Sequence, residues 1–196
     1  GTGVMRRQLQ ALAEAATNTH TDLWVMAPMI DTPAEAADFA AQAREFGIRH
    51  VGVMIETPAA ALLADKVLAE VDFGSLGTND LTQYVMAADR LDARLSDLTD
   101  SWHPAVLRAI ALAATSATAL ARPLGVCGEA AADPHLAAVL VGLGVNSLSM
   151  APVALAEVRG FLATVDRATC IEASQIALAA ASAEEAKAMV GALLEG

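Results

Sequence analysis

The stretch His50-Val-Gly-Val-Met-Ile-Glu-Thr-Pro58 runs from apolar residues into a carboxylate, a hydroxyl and a proline. It reads as a buried strand that stops at Glu56, then a helix with Thr57 as its cap and Pro58 in its first turn. Val71-Asp-Phe-Gly-Ser-Leu-Gly-Thr-Asn-Asp80 repeats this order, a strand running into Thr78, Asn79 and Asp80. Working outward, Leu23-Trp-Val-Met-Ala-Pro-Met29, Pro123-Leu-Gly-Val-Cys-Gly-Glu129 and Val145-Asn-Ser-Leu-Ser-Met-Ala151 are three more such runs. All are near-continuous rather than alternating, the pattern of strands buried on both faces. Helices are predicted between them over residues 33–46, 58–69, 79–88, 103–121, 133–143 and 152–164. A helix over 6–16 precedes the first strand. A last one over 182–194 starts with Ser182 as cap and Glu185 as its capping-box partner.

Five strands alternating with helices predict an α/β fold with a parallel sheet and right-handed crossovers. An open doubly wound sheet and a closed (β/α)8 barrel both fit. No GxGxxG follows the first strand, which weakens the dinucleotide-binding version. In either fold the chemistry belongs at the carboxyl ends of the strands.

Composition narrows the function. The 196 residues include 12 Lys plus Arg against 23 Asp plus Glu, a net charge of -11, with 55% hydrophobic and 18% charged residues. That much apolar material excludes a disordered acidic tail. The acidic balance argues against nucleic-acid binding, which draws its affinity from Lys and Arg on phosphates. Cys127 and Cys170 form no CxxC pair and no zinc pattern. No apolar run reaches membrane-span length, and the opening Gly1-Thr-Gly-Val-Met-Arg-Arg7 turns polar at once, so a cytoplasmic protein with no membrane partner is expected.

Each polar group at a strand end has a structural explanation on its own. Thr57 can cap, Thr78 or Asn79 can cap the helix 79–88, Asp80 suits that helix's positive end, and Cys127 can be a small buried hydrophobe. Taken together they converge. Glu56 and Asp80 lie at the ends of neighbouring strands, and carboxylate oxygens completed by water and substrate oxygens suit Mg2+. Cys127 faces the same mouth. His20, His50, His103 and His135 have no second ligand at i+3 or i+4 and read as surface or capping residues. Met26, Met29, Met54, Met86 and Met150 read as core filling.

Gly52-Val-Met-Ile-Glu-Thr-Pro-Ala-Ala-Ala61, with Val71 to Tyr84 including Gly77-Thr-Asn-Asp-Leu-Thr-Gln-Tyr84, resembles a known family. So do Gly125-Val-Cys-Gly-Glu129 with Asp133-Pro134, Gly142-Leu-Gly-Val-Asn-Ser-Leu-Ser-Met150, Met5-Arg-Arg-Gln-Leu9, Met26-Ala-Pro-Met-Ile30 and His103-Pro-Ala-Val-Leu107. The family is that of phosphoenolpyruvate–protein phosphotransferases, enzyme I of the bacterial sugar phosphotransferase system, in their C-terminal phosphoenolpyruvate-binding domain. The resemblance implies a TIM-type (β/α)8 barrel of which residues 1–196 would be the C-terminal part, with about five of eight strands. It implies transfer of phosphate from phosphoenolpyruvate to a protein histidine, releasing pyruvate, for sugar uptake. By resemblance Glu56 and Asp80 hold Mg2+, Asn79, Asp80 and Arg90 bind the substrate, and Cys127 protonates the departing enolate. Arg6 or Arg7 would match a further arginine near the site. The implied partners are the histidine-containing phosphocarrier protein, reached through N-terminal domains outside these residues, and a second copy in a homodimer.

The residue types suit that chemistry. The substrate carries about three negative charges, so local cations must reverse an acidic field. An apolar setting at Leu124-Gly-Val126 is expected to keep Cys127 a thiol, the form that can give a proton. The sequence departs from the family at Gln10, where arginine is common, and at Ala132, where glycine is usual. The first strands, with at least two more substrate-binding arginines, lie outside these residues. Each charge-assisted hydrogen bond contributes ~1.5–3 kcal/mol. Two missing arginines should therefore weaken binding by roughly 100-fold to 10,000-fold, leaving the 196 residues alone inactive. Two alternatives remain at this stage. One is an Mg2+-dependent pyruvate aldolase or lyase on the same barrel; the other is a non-catalytic, truncated binding module.

Overall fold

The structure, a computed structural model, describes residues 2–196. Helix α1 (Thr2–Thr19) leads into strand β1 (Trp24–Ala27), followed by α2 (Pro33–Glu45) and β2 (His50–Ile55). Next come α3 (Pro58–Leu62), α4 (Ala64–Val67), β3 (Phe73–Gly77), α5 (Thr78–Met86), α6 (Pro104–Ala119) and β4 (Leu124–Cys127). A 3-10 turn (Glu129–Ala132), α7 (Pro134–Leu143), β5 (Ser147–Ser149), α8 (Pro152–Leu162), α9 (Arg167–Ala179) and α10 (Ala183–Glu195) complete the chain. The five strands form one parallel sheet in the order β1-β2-β3-β4-β5.

That order speaks against the open doubly wound architecture. A doubly wound sheet reverses its strand order at a switch point, and this sheet has none. With uniformly right-handed crossovers, a sequential order sends every helix to the same face. Burial agrees. Val51, Val53, Ile55, Leu76, Leu124 and Val126 point to the helical side and are at most 1% exposed. They form the core with Leu68, Leu107, Ile110, Leu136 and Leu140 from the surrounding helices.

The opposite face corrects the expectation of strands buried on both sides. Trp24 is 50% exposed and Met26 42%, and Ser147 and Ser149 are exposed too. Glycine, methionine and aromatic residues on this face look apolar in sequence, yet among the described residues no layer of helices covers them. The Trp24 ring stacks on His50 and tilts against Phe73, and the Phe73 ring lies where a Cβ at Gly52 would fall.

Caps follow the local chemistry. The Thr57 hydroxyl accepts the Ala60 N–H, with Pro58 at the first position of α3. Thr32 and Glu35 form a reciprocal capping box on α2. Ser182 accepts from Glu185 N, but Glu185 reaches back to Ala181 N rather than to the cap itself. The helix predicted over 58–69 breaks into α3, α4 and a 3-10 turn at Leu68–Glu70. Helix α9 escapes the sequence pattern, because its buried stripe is Cys170, Ala173, Ser174 and Ala177 rather than large aliphatics. The small residues allow close packing, and a Cβ at Gly142 of α7 would overlap the Cys170 carbonyl.

Among the described residues, no helix is long and apolar enough to cross a membrane.

Candidate active site at the strand mouth

The strand register sets the site. Ile55 pairs with Leu76, Gly77 with Cys127, and Cys127 with Ser149. Glu56, next after Ile55, therefore stands opposite Gly77. One row, Glu56–Gly77–Cys127–Ser149, crosses the carboxyl ends of four strands on the open face. Glu56 and Cys127 are two strand spacings apart, roughly 10 Å between backbones.

Glu56 is 3% exposed. Its Oε1 accepts the Met29 backbone N–H at 2.7 Å. Met29 has a φ of 53°, the left-handed region uncommon for a residue with a Cβ. This turn after β1 aims its N–H at the carboxylate. Every fully buried side-chain polar atom among the described residues has a partner, so Glu56 Oε2, which has none, keeps an opening to solvent. Oε2 lies over Gly77, where a Cβ would come within 2.5 Å of it.

The first turn of α5 carries no side-chain cap, contrary to the expectation for Thr78 and Asn79. Both reach across to the end of β4 instead. The Thr78 hydroxyl donates to the Cys127 carbonyl at 3.0 Å, and Asn79 Oδ1 accepts the Glu129 N–H at 3.2 Å. Gly128 makes this possible. Its φ is 115°, and a Cβ there would sit 2.8 Å from both Asn79 Oδ1 and Thr78 Oγ1. The Cys127 thiol donates to the Leu76 carbonyl, 3.5 Å from sulfur to oxygen, and is half-buried.

Asp80 and Arg90 come together after α5 turns at Ala87. Arg90 Nη2 lies 3.6 Å from Asp80 Oδ1, and the Arg90 N–H donates to Gln83 Oε1. Both side chains are part-exposed, so the pair contributes little stability and is easily rearranged. Arg6 is placed elsewhere. It pairs with Glu45 at 2.7 Å and lies over the Phe46 ring, at the end of α2 that leads to the start of β2. Met26 and Met29 are 42% and 48% exposed, so they do not fill core.

A depression of about 400 Å³ opens at the mouth, lined by Asn79, Gly128, Glu129, Ala132, Ser149, Met150 and Ala151. A larger cavity, about 850 Å³, lies instead along α1 and the unpaired edge of β1, with walls such as Leu9, Val25, Ala27 and Phe39. Its apolar walls and its place beside a bare strand edge mark a packing gap rather than a site of chemistry. Among the described residues, no three His, Cys, Asp or Glu side chains cluster as a metal cage.

Residues 2–167 match the family model described as PEP-utilising enzyme, PEP-binding domain. The chain belongs to this family. Curated relatives include proteins named phosphoenolpyruvate-protein phosphotransferase. The one from Streptomyces coelicolor is 53% identical over 194 residues, covering 98% of this chain and 35% of that protein. The one from Haloferax volcanii is 43% identical, covering 82% and 31%, and that from Enterococcus faecalis 38% identical, covering 91% and 33%. The chain thus spans about a third of the length of the relatives it matches. The family match ends at the start of α9, leaving the α9–α10 pair beyond it.

Met29, Gly77 and Gly128 were missed as site residues. Two of them are glycines beside chemistry-bearing strand ends, a usable signal; the left-handed turn at Met29 has none.

Proposed function

We propose that this chain is the phosphoenolpyruvate-binding part of a phosphotransferase that moves phosphate from phosphoenolpyruvate to a protein histidine and releases pyruvate. The buried Glu56 carboxylate, held by Met29 N–H on one oxygen and open on the other, carries the reading. The relatives' names support the same activity. The sequential strand order, the open inner face and the gap beside β1 support a further step: residues 1–196 form the C-terminal arc of a (β/α)8 barrel. Neighbouring strands or a second copy would cover its two unpaired edges.

Mg2+ fits the donor set. Glu56 Oε2 lies in a cradle that a Cβ at Gly77 would fill, and Asp80 lies at the next strand's end. Two carboxylates with substrate oxygens are how this ion is usually held. When bound, it would supply positive charge to the substrate's phosphate and enolate oxygens. Arg90 adds a second cation, released from Asp80 to the phosphate at little cost. Asn79, fixed by Glu129 N–H through its oxygen, keeps its amide donors for the substrate.

The phosphorus–oxygen bond breaks as a histidine nitrogen attacks phosphorus, and the bond's electron pair leaves as pyruvate enolate. Cys127 is a thiol donor on the same row, and its proton goes to C3 of the enolate. Water then reprotonates the thiolate. Solvent-deuterium exchange at C3 of pyruvate, followed by proton NMR, tests this role. Loss of exchange in Cys127→Ala with folding intact is expected. Exchange unchanged in that variant would remove Cys127 from the reaction.

A further inference from the structure

The C-terminal helix reaches the mouth through a chain of side chains. Lys187 of α10 pairs with Asp100 Oδ2 in the loop before α6. Asp100 Oδ1 accepts the Trp102 backbone N–H at 3.0 Å. Trp102 is 3% exposed, and its indole N–H donates to Asp133 Oδ2 at 2.8 Å. The other oxygen of Asp133 caps α7, accepting the N–H groups of His135 and Leu136. Asp133 ends the 3-10 turn Glu129–Ala132, which lines the mouth depression.

The same loop touches the other wall of the site. The Ser101 hydroxyl lies 3.4 Å from that of Thr82, two residues beyond Asp80 on α5. Residues 100–103 therefore sit as a wedge behind α5 and the 3-10 turn. On the mouth side, Asn79 holds Glu129 N–H; behind it, Trp102 holds Asp133. The turn is pinned from both sides.

We propose that Trp102 is a positioning residue for this site and that Lys187 latches it from α10. The proposal rests on the phosphoenolpyruvate reading above for its functional arm. The wedge fixes the distance between the α5 residues Asn79 and Asp80 and the Cys127–Glu129 segment. The α9–α10 pair, beyond the family match, thereby gains a part in substrate binding without touching substrate.

The test uses the 196-residue chain and three variants: Trp102→Phe, Lys187→Met and Lys187→Arg. Amide hydrogen exchange over residues 128–133 is compared with that of β2 and β3. Phosphoenolpyruvate affinity with Mg2+ is read by phosphorus NMR. Trp102→Phe keeps most of the ring but removes the donor to a carboxylate. It is expected to speed exchange over 128–133 and to weaken substrate binding about tenfold or more, the size of one charge-assisted hydrogen bond. Lys187→Met is expected to give a smaller loss of about two- to fivefold, the range of an exposed ion pair. Lys187→Arg should restore most of it. A merely structural role would lower the urea midpoint and speed exchange everywhere alike, and that result would overturn the proposal. So would Lys187→Met matching wild type in both readouts. If the unaltered chain binds no phosphoenolpyruvate, the functional reading fails, while the exchange comparison still decides the wedge.

Discussion

Replacing Gly77 by alanine strikes the site at its tightest point. The backbone there has φ -87° and ψ 83°, open to any residue, so the cost is steric. The new Cβ would lie 2.5 Å from Glu56 Oε2 and 2.9 Å from both Glu56 Cβ and Met54 Cε. Met54 can swing its terminal methyl away. Glu56 cannot move freely, because it is 3% exposed and its other oxygen holds Met29 N–H at 2.7 Å. Either the carboxylate leaves that N–H, losing about 1.5–3 kcal/mol of charge-assisted hydrogen bond, or the strand ends spread at an overpacking cost of about 1–3 kcal/mol. The urea midpoint of Gly77→Ala should fall accordingly, with the slope unchanged. Mg2+-dependent phosphoenolpyruvate binding, measured by calorimetry, should fall by at least tenfold, since Oε2 is the oxygen displaced. Wild-type stability together with wild-type affinity would refute the placement of Glu56 over Gly77.

Other consequences follow from the same contacts. Gly142→Ala forces α7 away from the Cys170 carbonyl and should cost about 1–3 kcal/mol or more in urea unfolding. Burial pushes the Cys170 thiol up, with Asp166 adding to the shift, so less thiolate forms at any given pH. Native alkylation at pH 8 should label the half-buried Cys127 well before Cys170, and both equally in urea. Glu35 is held below its usual range chiefly by the Asp31 N–H, and Asp166 chiefly by the Thr169 N–H. Their contributions are present above an unfolded pKa of about 4 and disappear as pH falls through the lower folded values. Amide shifts at the starts of α2 and α9 should therefore report fraying below about pH 4, suppressed in Glu35→Gln and Asp166→Asn; fraying on raising the pH would contradict the sign.

The strands and most helices were legible because their signals are local. Glu56-Thr57-Pro58 announces a strand end and a capped helix, and the structure forms both there. That Glu56 and Cys127 end up on one row was legible because strand ends in a parallel sheet share one mouth. What stayed hidden depends on contacts between distant segments. Thr78 and Asn79 look like caps in sequence, and only the approach of β4, permitted by Gly128, turns them into bridges to Cys127 and Glu129. Trp102 reads as an ordinary loop aromatic until Asp133, 31 residues on, accepts its indole N–H. The open face of the sheet was misread because Met26, Trp24 and Phe73 score as apolar wherever they point. Helix α9 was missed because alanine, serine and cysteine fill its buried stripe.

The central claim is that Glu56 and its neighbours bind phosphoenolpyruvate with Mg2+. Titrating phosphoenolpyruvate into these 196 residues, with and without Mg2+, and again in Glu56→Gln, tests it most directly. The account predicts weak binding, well above micromolar, that requires Mg2+ and is lost in Glu56→Gln while the fold is kept. Binding indifferent to both Mg2+ and Glu56 would contradict the site. Micromolar binding that still depends on both would uphold the site but contradict the need for arginines beyond these residues.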